Sequence, residues 1–207
     1  DISAWNTSKV ENMSSMFEDA DNFNQALNNW NVSKVKTMKN MFRGAISFNQ
    51  SLNKWNVSEV IDMEEMFEAA YKFNQNINSW DVSNVKNMSY MFNGAKEFNQ
   101  PLDKWNVSNV EDMTCMFRYT KKFNQALNSW NVSKVKYMEE MFYEAVSFNQ
   151  SLNRWNVSKV KNMARMFCDA KEFNQDLSMW KVQGATDTVN MFLGSPLENR
   201  KPKWEGQ

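Results

Sequence analysis

No histidine occurs in the 207 residues, which removes His-based catalytic triads and most imidazole-ligated metal sites. Glycine is nearly as scarce, with five copies, and no Gly-rich phosphate loop, nucleophile elbow or dinucleotide signature appears. Charge of one sign is missing too: Lys plus Arg number 24 and Asp plus Glu number 24. A nucleic-acid binder normally needs a basic stripe to displace counterions, so nucleic acid is not an expected partner. No apolar run is long enough for a membrane-spanning helix, and none opens the chain as a signal peptide would. The chain starts mid-repeat at Asp1 and reads as a piece of something longer. Cys115 and Cys168 stand two repeats apart. At a rung spacing of roughly 4.8 Å they lie beyond the ~7 Å reach of a disulfide, so both are expected to be unpaired.

What is present is repetition. Tryptophan returns every 25 residues, at 5, 30, 55, 80, 105, 130, 155 and 180, within the frame FNQxLxxWNVSxVxxMxxMFxxA. A strict period of this length marks stacked supersecondary units, none of which buries its apolar face alone. Residues 1–180 are read as about seven such repeats. Residues 181–207 form a divergent last repeat and C-terminal cap, with Lys181, Gln183, Ala185 and Thr188 off the pattern and Trp204 placed to cover the end.

Within a unit, Leu27, Trp30 and Val32 have the alternation of a half-buried strand. Val35, Met38, Met41, Phe42 and Ala45 follow at spacings of three and four, one face of a helix. Ser33 suits the N-cap, Ser8–Glu11 and Ser108–Glu111 have capping-box spacing, and Gly44 and Gly94 fall near the helix end. The predicted fold class is therefore an α/β repeat solenoid, each unit a short strand plus a short helix. The recurrent Asn-Gln pair after Phe is expected to stack as an amide ladder that satisfies the return turn.

Three motifs carry both a bland and a functional reading. The paired methionines fit a buried stripe, and also a soft Cu(I) site; the core reading is preferred and no metal or other cofactor is assigned. The Asn-x-Ser triplets fit local turn bonding, or glycosylation sequons in a eukaryotic secretory path. On the outer face of the predicted strand lie Asn31, Asn56, Asp81, Asn106, Asn131 and Asn156. They form the candidate ligand-binding row on the concave side, or else bond the strand-to-helix turn. Carboxylates sit at positions that change between repeats, such as Glu64–Glu65 against Lys39–Asn40, as on a solvated face, and no enzyme activity is expected.

The frame resembles the 25-residue repeats of BspA-like bacterial surface proteins, an atypical leucine-rich repeat branch common in mycoplasma-type lipoproteins. LxxWxV stands where an ordinary leucine-rich repeat has LxxLxL. The resemblance implies a curved strand-plus-helix solenoid, an extracellular or cell-surface location, and adhesion or ligand binding to a surface protein or glycan. A structural spacer with little binding of its own is the alternative. The varied positions Tyr71, Tyr90, Tyr119, Tyr137 and Tyr143 offer a second contact surface on the predicted helix side.

Overall fold

The computed structural model describes residues 2–204; residue 1 and residues 205–207, the outer ends of the first repeat and of the expected cap, lie outside the described residues. The repeats stack as rungs: rung 1 is 2–26, rung 2 is 27–51, rung 3 is 52–76, and so on to rung 8 at 177–201.

Each rung is a succession of tight turns. In rung 2 the amides of Trp30, Val35, Met41, Arg43, Ala45 and Phe48 each donate to the carbonyl three residues back. The amides between them look to the next rung. Met38, Asn40, Phe42 and Gly44 donate to the carbonyls of Asp62, Glu64, Met66 and Glu68 at 2.8–3.0 Å. Backbone donors and acceptors are thus paired partly within the rung and partly along the stack, which meets the requirement that buried peptide groups find partners.

This overturns the predicted strand-plus-helix unit. Among the described residues no helix forms, and extended pairing is confined to single-residue parallel bridges running Asn12–Thr37–Asp62–Asn87–Asp112–Tyr137–Asn162–Asp187. Leu27–Trp30 and Val32–Val35 close as turns, so LxxWxV is not a strand and Ser33 caps no helix. The stretch MxxMFxxA is two consecutive turns with a left-handed third residue, Asn40 at φ 58° and Gly44 at φ 67°, as a type II turn requires. The same two places are left-handed from Ser15 and Asp19 to Asn190 and Gly194, and 13 of them are not glycine. Each costs an L-residue roughly 1–2 kcal/mol, so the hydrogen bonds and packing along the stack must outweigh a strain that recurs in every rung.

The rings show why helices do not fit. Phe42 and its equivalents stack at 5.4–5.9 Å and Phe48 and its equivalents at 5.9–6.1 Å. Tryptophans stack at 6.1–6.5 Å. All three columns keep neighbouring rings within 5.4–6.5 Å, whereas packed helices need about 8–10 Å between axes.

The inward-facing set is the one the spacing predicts. Leu, Trp, both Val, both Met, both Phe and Ala of rung 2 are all buried. From Trp30 to Trp180 each indole N–H donates to the carbonyl of the Leu or Ile that opens the preceding rung, as Trp105 does to Ile77 at 3.0 Å. Trp204 makes the same bond to Leu177, also at 3.0 Å, and its ring lies 6.2 Å from Phe192. It thereby stands in for a ninth rung's tryptophan. At the opposite end Trp5 is 57% exposed.

The amide ladder forms as expected. Asn74 Oδ1 accepts both the backbone N–H of Asn99 at 3.0 Å and the amide of Gln100 at 3.1 Å. The pattern repeats up the stack until Arg200 donates to Asn174 Oδ1 at 2.8 Å. Both cysteines are free and buried.

Candidate functional site

The predicted row Asn31, Asn56, Asp81, Asn106, Asn131 and Asn156 is exposed along its whole length. It lies on turns, because the strand expected to carry it is absent. In each copy Oδ1 accepts the backbone N–H two residues on, at 3.0–3.2 Å. These side chains therefore hold an Asx-type turn. What faces outward is the remaining amide N–H pair, or the second oxygen of Asp81. The neighbouring positions are spent as well: Asn28 donates to Asn53 Oδ1 at 2.9 Å while accepting from the Lys54 amide at 3.0 Å. The row is chemically uniform and largely engaged in its own fold.

The face formed by the left-handed turns is different. Here the rungs share a backbone but not a sequence, because side chains at these positions point away from the core. One column reads Ala69, Gly94, Tyr119, Glu144; beside it stand Tyr71, Lys96 and Lys121, and on the other side Glu68, Asn93, Arg118 and Tyr143. The small residues at 69 and 94 leave a groove of about 320 Å³ across rungs 3–6, walled by Tyr71 and Tyr119 and closed at its end by Glu144. A Cβ on Gly94 would lie 3.7 Å from the Ala69 Cα, in ordinary contact, so the missing methyl group is itself part of the groove's space.

Its side chains are held by one another. Lys96 Nζ sits 3.7 Å over the Tyr71 ring, and the Arg118 guanidinium 4.5 Å over Tyr119 and 5.3 Å over Tyr143. Such cation–π contacts contribute roughly 0.5–1 kcal/mol each when exposed. Tyr119 and Tyr143 meet edge to face at 5.5 Å. Arg118 also pairs with Glu140 at 2.9 Å and donates to the Tyr119 hydroxyl at 3.1 Å. Glu68 accepts from Arg43 at 3.1 Å and from Asn93 Nδ2 at 2.8 Å. Asn93 is only 9% exposed, and its Oδ1 has no hydrogen-bond partner. Burial raises the Tyr143 phenol above its ordinary value.

Of these groups the sequence had singled out Tyr71, Tyr119 and Tyr143. It did not single out Glu68, Asn93, Lys96, Arg118, Lys121 or Glu144. The available signal was variability at fixed register positions, which on its own also describes any solvated face. Tyr90, Tyr137 and Tyr143, named with the others, do not line the groove, although Tyr143 packs on Tyr119. The paired methionines inside the stack are buried beside phenylalanine. Among the described residues no group of three His, Cys, Asp or Glu is placed to hold a metal ion.

A family model described as "Mycoplasma protein of unknown function, DUF285" matches the chain twice, over residues 1–105 and 95–204. No curated protein and no solved structure matches it.

Proposed function

Since the chain belongs to the DUF285 mycoplasma repeat family, we propose that it is a non-enzymatic recognition module whose contacts are made on the turn face over rungs 3–6. The observation that carries this reading is the concentration of Tyr and Lys in one groove, with Arg118 packed on its Tyr119 wall. Tyrosine and arginine are the residues that dominate binding hot spots. They stand on rungs locked to both neighbours, so little conformational freedom remains to be lost on binding. The partner is a protein or glycan displayed on a cell surface, and the location proposed for the chain is extracellular. Both follow from the resemblance to BspA-like surface proteins, an argument by analogy. Zero formal charge speaks against nucleic acid, and the absence of histidine against most catalytic schemes.

One observation favours the spacer reading: the Asn31–Asn156 row is uniform and its carbonyl groups are used by the turns. A single experiment separates the two. The purified chain is applied to a combined glycan and extracellular-matrix array beside two variants, Tyr119→Ala with Lys121→Glu, and Asn56→Lys with Asn106→Lys and Asn131→Lys, each with an unchanged melting profile. A hit lost in the first variant alone is the expected result. A hit lost only in the second moves the site to the Asn row. Silence of the parent chain overturns the recognition reading in favour of a spacer.

A further inference from the structure

We infer that the groove takes a neutral oligosaccharide, a proposal that rests on the recognition reading and gives it a ligand class. Its four ionic groups cancel, Glu68 and Glu144 against Lys96 and Lys121, so the local field selects neither anion nor cation. A ligand is left to be chosen by shape and hydrogen bonding.

The hydrogen-bonding groups form a mixed set. Carboxylates and the Asn93 carbonyl accept; ammonium groups and phenols donate. A sugar hydroxyl does both at once, and a run of vicinal hydroxyls meets such a set without leaving groups unpaired. Asn93 sharpens the argument. Its Nδ2 is committed to Glu68 at 2.8 Å, which fixes the amide orientation and leaves Oδ1 a buried acceptor without a donor. Buried polar atoms in native structures nearly always find partners, and an exception calls for an explanation. A ligand hydroxyl seated in the groove that Asn93 lines supplies the missing donor. The walls agree with this chemistry. Tyr71 and Tyr119 bring rings with an apolar face and a polar tip, each with a cation over one face, Lys96 and Arg118; a pyranose, apolar on one face and hydroxylated at its rim, takes the place of the exposed Lys96 head on Tyr71. The phenylalanine rings of successive rungs beneath lie 5.5–5.7 Å apart, comparable to the length of one pyranose along a chain, so neighbouring rungs can meet neighbouring sugars. An extended peptide finds less here, since strand addition needs an unpaired sheet edge and the rung backbones already pair with each other.

The test is calorimetric titration of the whole chain with maltotriose, cellotriose and chitotriose, alongside heparin oligosaccharide and a Lys-rich peptide as charged probes. At least one neutral trisaccharide is expected to bind with little dependence on salt. Asn93→Leu should weaken it by roughly tenfold, the order expected for one lost hydrogen bond to a buried group. Tyr119→Ala should abolish binding, and Tyr119→Phe, which keeps the ring, should hold it within about threefold. If Asn93→Leu disturbs its rung, the two Tyr119 variants decide. Binding of heparin or the peptide alone, with steep salt dependence, overturns the neutral-glycan assignment. So does a protein partner that is lost with Tyr119→Ala while every sugar stays silent, although the recognition reading then stands. Absence of any partner on the sugars and on the matrix array removes both.

Discussion

Replacing Ala69 by glycine distinguishes a chain of turns from a helix by the sign of the effect. Ala69 has φ 52° and shares its column with Gly44 at 67° and Gly94 at 71°, so the position already accepts glycine in the rungs on either side. Holding an L-residue in this region costs roughly 1–2 kcal/mol, and the substitution removes that cost. Against it stands the greater freedom of glycine in the unfolded chain, worth about 0.4–1 kcal/mol. The net expectation is a gain of between about 0 and 1.5 kcal/mol. In a helix the same change would lose about 1 kcal/mol. Urea denaturation reads the difference directly, and at this chain length 1 kcal/mol moves a melting temperature by roughly 2–4 °C. Far-ultraviolet circular dichroism of the parent protein is the companion measurement and should lack a helical signature. A clear loss of stability in Ala69→Gly, joined to a helical spectrum, would refute the turn-chain backbone and with it the groove.

Trp105→Phe should lower stability by about 2–4 kcal/mol in the same denaturation assay. It removes the indole N–H that satisfies the Ile77 carbonyl at 3.0 Å and shrinks a ring packed between Trp80 and Trp130. Asn99→Ala deprives the Asn124 amide and the Gln125 side chain of their acceptor at 3.0 and 2.9 Å, at an expected cost of about 1–2 kcal/mol. Asn106→Ala, which loses one exposed turn bond, should cost less than about 1 kcal/mol; equal losses would mean that the ladder is not the stronger device. Stability should also fall in alkali. Burial pushes the thiols of Cys115 and Cys168 up to about 12 and about 11, and the Tyr90 phenol up to about 12. The unfolded chain therefore releases these protons first, and stability is lost as pH rises from about 9 towards 12. Urea midpoints measured between pH 7 and 11 should decline, and less steeply in Cys115→Ala.

Much of this molecule is readable from residue spacing. The 25-residue period, the inward set from Leu27 to Phe48, the Asn-Gln ladder and the place of Trp204 at the end all follow from which residues recur and which are apolar. The backbone path does not. Spacings of three and four at Val35, Met38, Met41, Phe42 and Ala45 put the same side chains inward whether the chain winds as a helix or closes consecutive turns. The two are distinguished by where Met38, Asn40, Phe42 and Gly44 send their amides, and the acceptors lie 24 residues further on. Local pattern contains no information about such a partner. The same limit applied to the site. The Asn31–Asn156 row was conspicuous because it repeats, yet its repetition reflects a turn that every rung must make. The groove arises because Ala69 and Gly94 happen to be small where Tyr71, Tyr119 and Lys121 are large, and only stacking brings residues 25 and 50 positions apart into one surface. Composition and period determined what is buried; the hydrogen bonds between rungs decided the backbone, and the backbone decided which variable side chains meet.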